Sequence, residues 1–128
     1  MVDTFDRLKG ATATLGWKKP CRAASTGSNL FLSGYQTVDG VAFSSAAETA
    51  GLSMRVLVKD QADTRQNGIY TANSGLWTRP PDFDGNSDFV KGTMLMVTDG
   101  ATWAKSLFSV TSSDPQSVGV TAITFAGW

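Results

Sequence analysis

A chain of 128 residues with 11 Lys+Arg against 11 Asp+Glu has the size of one domain with its own core, and no net field to gather nucleic acid or an anionic membrane surface. It holds no histidine and a single cysteine, Cys21, which excludes Ser-His-Asp and Cys-His catalysis, the commonest zinc and iron ligand, and any intrachain disulfide. The longest strictly apolar run, Met94-Leu95-Met96-Val97, is far short of a membrane span, and Met1-Val2-Asp3 lacks the basic-then-apolar order of a signal peptide, so a soluble protein made in a cytoplasm is expected.

Residues 1–20 read as an N-terminal arm. Phe5 and Leu8 lie three apart behind the possible N-caps Asp3 and Thr4, but Gly10, Gly16 and a Thr-rich run work against a long helix. Such an arm packs on its own domain, lies across a neighbouring subunit, or is a partly ordered terminus; Trp17 speaks against a free tail, because a large aromatic is seldom spent on one.

Residues 21–128 read as a single β domain. A polar turn over 25–29 precedes Leu30-Phe31-Leu32, a short strand ending at Gly34. Thr37-Val38 and Val41-Ala42-Phe43 flank Asp39-Gly40, a strong tight-turn signal and so the first hairpin. Ala46, Ala47, Glu48 and Ala50 favour a turn or two of helix closed by Gly51, either a surface insertion or an added contact surface.

Val56 and Val58 fall on one side of the next strand, and Arg55 and Lys59 on the other, which predicts a half-buried strand. A polar loop over 60–67 turns back at Asn67-Gly68, and 69–72 then pairs with 76–79 around Asn73-Ser74-Gly75 until Pro80-Pro81 ends the ladder. In the acidic stretch 81–92, Asp82, Asp84 and Asp88 invite a calcium-loop reading. The glycine and closing glutamate of an EF-hand are out of place, so these three are weak metal candidates beside the commoner solvated turn.

Residues 93–98 are the most continuously apolar and are expected to form a central strand buried on both faces. Asp99-Gly100 turns the chain into a strand over 103–110, with Trp103, Lys105 and Leu107 on one face and Ala104, Ser106, Phe108 and Val110 on the other. A loop containing Pro115 leads to a last strand over 120–125, with Ile123 and Phe125 inward. Repeats and heptads are absent. The predicted fold is mainly β: a small twisted antiparallel β-barrel or sandwich built from hairpins, with an N-terminal arm.

Little here suggests catalysis. Glu48 is the only glutamate, so the paired carboxyls of a glycosidase are not evident, and no phosphate-binding glycine loop occurs. Cys21 has Lys18, Lys19 and Arg22 beside it, but a small semi-buried residue is the preferred reading. No cofactor is expected, and the protein is read as not an enzyme. Trp77, Trp103, Tyr70 and Tyr35 either close the core, form a sugar-stacking platform, or anchor another protein; Trp77 and Arg79 share a strand face, a pairing that suits an interface.

The run RVLVKDQ, a polar loop, NGIY, a short turn, then WTR and an acidic patch resembles a domain near the N-termini of bacteriophage tail fibres and tailspikes. Leu32-Ser33-Gly34, Gln36-Thr37, Val38-Asp39-Gly40-Val41, Val97-Thr98-Asp99-Gly100 and Thr121-Ala122-Ile123-Thr124-Phe125 extend the likeness over about residues 21–125. The stretch 44–54 departs from it, since relatives more often enter RVLVK from a short Gly-Asp turn. The resemblance implies a non-enzymatic virion structural protein: a tail fibre or spike attachment domain, or a small decoration protein on capsid or tail. It would be made in the bacterial host cytoplasm and partnered by itself, as a homotrimer, and by other virion proteins. With no triple-β shaft, heptads or receptor-binding tip before Trp128, either a complete small protein or the attachment piece alone is expected. Phe5, Leu8, Trp17, Trp77, Arg79, Trp103 and Trp128 are the candidate partner contacts. The alternative is a carbohydrate-binding module that recognises a host-surface glycan. Neither reading involves nucleic acid or membrane insertion.

Overall fold

Val56, Leu57 and Val58 follow one another with no polar residue between them, so both faces of their strand are apolar. In the computed structural model all three are fully buried. The structure describes residues 16–27, 29–85 and 88–127. In chain order the strands are β1 (Ala23–Ala24), β2 (Thr37–Val38), β3 (Val41–Ala42), β4 (Arg55–Val58), β5 (Gly68–Thr71), β6 (Met94–Val97), β7 (Ser106–Val110) and β8 (Phe125–Gly127). One α-helix, α1 (Ser45–Thr49), and two 3-10 turns, Thr64–Gln66 and Pro81–Phe83, complete the described elements.

The strands form three small sheets, ordered β1-β4-β5, β2-β3 and β6-β7-β8. All pairings are antiparallel except β1 with β4, where Ala23 lies opposite Val56 in parallel register. The mainly β, hairpin-based prediction is met at this level, whereas a wholly antiparallel arrangement is not, and no closed barrel forms among the described residues.

Residues 17–25 join the two larger sheets. Trp17 bridges Met94 and Cys21 bridges Val97, both in parallel, with Lys18 N–H and Cys21 N–H donating to the Met94 and Met96 carbonyls at 2.9 Å. The same stretch then shifts to β4, where Arg22 N–H and Ser25 N–H donate to Arg55 and Leu57 carbonyls at 2.9 Å. Trp17 and Lys18, expected in the arm, are thus joined to the start of β6.

Alternation along β4 serves two cores at once. Leu57 enters one with Cys21, Ile69, Phe83, Phe89, Leu95 and Phe108. Val56 and Val58 enter the other with Val38, Phe43, Met54, Tyr70 and Trp77. The doubly buried strand is therefore β4, expected to be half-buried. The reverse holds for β6, expected to be buried on both faces: Leu95 and Val97 are at 0% exposure while Met96 is 39% exposed. Both runs are apolar, and what differs is that a second layer lies over β4.

Local chemistry accounts for the smaller elements. Asp39 and Gly40 have φ of 50° and 80°, the doubly left-handed turn that suits the twist of a two-residue hairpin. Ser44 Oγ accepts from Ala47 N–H to start α1, and Gly51 at φ 78° follows its end, as predicted. Ala47 and Met54 enter the second core, so residues 44–54 are built into the domain. Gly68, at φ 142°, lies where an added Cβ would run into the Arg79 guanidinium and the Phe83 ring.

Other expectations are corrected. Leu30-Phe31-Leu32 forms no strand; beside it lies a single antiparallel bridge, Ser33 to Leu76, and Trp77 N–H donates to the Leu32 carbonyl at 3.0 Å. The 69–72/76–79 hairpin is reduced to a single bridged pair, Thr71 with Thr78, because Asn73 folds its side chain onto the intervening backbone. β7 starts at Ser106, since residues 101–105 form a turn with Lys105 at φ 63°, and Trp103 lies in that turn. The last strand is Phe125–Gly127; Val120 is exposed in a turn, Ile123 is buried and Phe125 partly so.

Candidate functional site

The polar residues between Arg55 and Arg79 mostly fasten the chain to itself. Lys59 Nζ bonds Asp60 at 2.9 Å and sits over the Trp103 ring at 4.5 Å. Asp60 Oδ2 also accepts from Ser25 Oγ and Gly27 N–H at 2.8 and 2.9 Å. Burial pushes its carboxyl up, but the Lys59 ammonium, Ser25 and Gly27 outweigh that, leaving it below the usual aspartate range. Gln61, also buried, brackets the Leu30 backbone, accepting from its N–H at 2.7 Å and donating to its carbonyl at 3.0 Å. Asn67 accepts from Gln61 N–H and donates to the Ile123 carbonyl, tying the β4–β5 loop to the chain just before β8.

The expected contact residues fall into three groups. Trp77 is 6% exposed, and its indole N–H donates to the Gly34 carbonyl at 2.9 Å. Arg79 donates to the Asn67 and Arg65 carbonyls at 3.0 and 3.1 Å with its guanidinium 4.7 Å over the Tyr70 ring. Trp103 is half-buried, donates to the Ser25 carbonyl at 3.0 Å and packs edge-on against Phe108. These three serve the interior. Trp17 is 56% exposed beside the start of β6. Phe5, Leu8 and Trp128 lie outside the described residues.

The acidic stretch is engaged in its own fold. Asp82 holds Arg55 through two bonds of 3.0 and 3.1 Å, and Asp88 Oδ2 accepts from Asp84 and Gly85 N–H groups at 2.9 and 2.8 Å. Among the described residues, no three acidic, Cys or His side chains group so as to hold a metal. The Asp39 carboxylate takes Thr102 N–H at 3.0 Å and Trp103 N–H at 2.9 Å, clipping the first hairpin to the β6–β7 turn. Desolvation works against its ionisation, yet those backbone donors hold the carboxyl below its ordinary value. Cys21 is fully buried, and desolvation pushes its thiol up to about 12, the opposite of an activated nucleophile. Lys18 is buried too, with its ammonium donating to the Asp88 carbonyl; desolvation lowers its pKa.

The most exposed large apolar side chains among the described residues were not among the expected contacts. Phe31 and Leu76 are 78% and 77% exposed. With Leu30 and Leu32 they line an open groove of about 500 Å³ whose polar contributors are Asn29, Ser33 and Gln66, with no charged side chain. Leu30 and Leu32 turn in against the second core and Phe31 points away between them. The triplet Leu30-Phe31-Leu32 carried the signal in sequence, but an apolar triplet does not reveal which member faces out. A smaller recess of about 300 Å³ lies at the other end of β4, lined by Lys19, Arg55, Pro80 and Asp82 among others. No described helix is long and apolar enough to cross a membrane. Comparison with protein-family models, curated proteins and solved structures finds no match to this chain.

Proposed function

We propose that this chain is a non-enzymatic bacteriophage virion protein that works by protein–protein assembly, as a tail fibre or spike attachment domain or a small capsid- or tail-attached fibre or decoration protein. The observation that carries the reading is the uncharged groove at Phe31 and Leu76, an exposed apolar surface beside a scaffold whose fibre-like residues are engaged in holding the fold. The resemblance supports a homotrimer, built in the bacterial host cytoplasm and carried on the virion. In finer architecture we read a sandwich-like domain, its two cores separated by the β1-β4-β5 sheet. Phe31 beside the Asn29 and Gln66 amides also favours a second reading, in which an exposed ring and amide groups hold a host-surface sugar.

Light scattering on the purified protein, followed by binding to fibre-less particles and to a glycan panel, separates the two. A stable oligomer that binds particles and no glycan is expected. A monomer that binds a glycan with an affinity lowered at least tenfold by Phe31→Ala would replace assembly with host recognition.

A further inference from the structure

The Phe31–Leu76 groove is uncharged, and the hydrogen-bonding groups along it divide by type. The backbone carbonyls of Leu30, Phe31, Leu32, Ser33 and Leu76 each already accept a bond from within the chain. The two carboxamides that line the groove are held by their oxygens. Asn29 Oδ1 accepts from Ala62 N–H at 2.8 Å, a bond that only the oxygen of an amide can make. Gln61 brackets the Leu30 backbone, which fixes its own orientation; its Nε2 therefore donates at 3.3 Å to Gln66, whose oxygen is turned to meet it. The NH2 groups of Asn29 and Gln66 are left without a partner among the described residues. The Ser33 hydroxyl can take either role.

The groove thus offers donors and exposed apolar surface, while its carbonyls are engaged. A complementary ligand carries acceptors, an apolar face and no charge, and brings few donors, because a donor covered there loses its bonds to water and finds no acceptor. An ordinary peptide fails on the last point, with one N–H for every C=O. Proline is the exception: it lacks the N–H, and in a polyproline II helix its carbonyls stand free along a preformed apolar rod. Such segments dock on grooves that present aromatic rings.

We infer that the Phe31–Leu76 groove docks an uncharged, proline-rich segment of a partner protein in the polyproline II conformation. Its carbonyls accept from the Asn29 and Gln66 NH2 groups, and its rings pack on Phe31 and Leu76. The segment comes from another protein, since this chain's four prolines include a single adjacent pair, Pro80-Pro81, and Pro80 is buried. Such a segment gives the assembly reading its kind of partner, and rests on that reading in that the groove takes up protein.

The full-length chain, labelled with 15N, is titrated with a capped decaproline peptide. The side-chain NH2 signals of Asn29 and Gln66 are expected to move together with the backbone signals of residues 30–33, and a Gly-Ser peptide of equal length to leave them still. Asn29→Asp with Gln66→Glu keeps the oxygens that Ala62 and Gln61 bond and removes the donors, so the dissociation constant is expected to rise about tenfold or more. Phe31→Ala is expected to do the same, and leaves the fold intact because the ring is exposed. NH2 signals that stay put at millimolar peptide, an equal response to the Gly-Ser peptide, or unchanged affinity in either variant would overturn the inference. A neutral glycan that moves those signals when decaproline does not would overturn it in favour of the sugar. Particle binding by a chain that ignores decaproline would sink the inference and leave the virion reading standing; decaproline binding by a chain that ignores particles would do the reverse.

Discussion

Arg79 shows how a residue type enriched at interfaces can be engaged internally. Its guanidinium reaches two backbone carbonyls, of Asn67 and Arg65, while stacking on Tyr70, and Gly68 leaves the room it needs. Arg79→Ala removes two charge-assisted bonds and is expected to cost about 2–4 kcal/mol of stability. Arg79→Lys recovers little of it, because a point ammonium cannot span both carbonyls and lie flat on a ring. Urea unfolding checks both variants. Unchanged stability with weakened oligomer or particle binding would move Arg79 from fastener to interface residue.

At the scale of elements, loops are joined to distant strands by carboxylates. Asp39 holds the β2–β3 turn to residues 101–103, and Asp60 holds the β4–β5 loop to Ser25 and Gly27. Both carboxyls titrate lower in the folded chain than in the unfolded one. The stability they confer is therefore full above the ordinary aspartate value, near pH 4, and is lost as pH falls through their depressed values. The urea midpoint is expected to drop between pH 7 and pH 3, and Asp39→Asn with Asp60→Asn to flatten that drop while lowering the midpoint at pH 7. An equally steep pH profile in the double variant would show that other groups govern acid unfolding.

For the molecule as a whole, the decisive feature is that both cores share β4. Leu57→Ala opens a cavity in one of them and is expected to cost about 2–5 kcal/mol. Because the β4 backbone is common to both, the second core unravels with the first. The four tryptophans allow this to be observed without substitution. With 5-fluorotryptophan incorporated, the 19F signals of Trp103, packed on the first core, and Trp77, buried in the second, are expected to vanish at one urea concentration. Two separate midpoints would show layers that unfold independently.

Much of this protein was legible in the chain. Asp39-Gly40 announced its hairpin, Gly51 closes α1, and the Arg55–Val58 strand and its return at Asn67-Gly68 stand where periodicity and turn chemistry put them. Each of these depends on neighbours a few residues away, where backbone sterics and side-chain caps act. Tertiary structure alone decided which apolar strand would be covered twice and which aromatic rings would be engaged. Trp77 meets Gly34 across 43 residues and Trp103 meets Ser25 across 78, pairings no local pattern encodes. Phe31, inside an apolar triplet, and Leu76, beside a buried tryptophan, became the open surface for the same reason: burial is set by what packs from elsewhere in the chain, and sequence period shows only that a face exists.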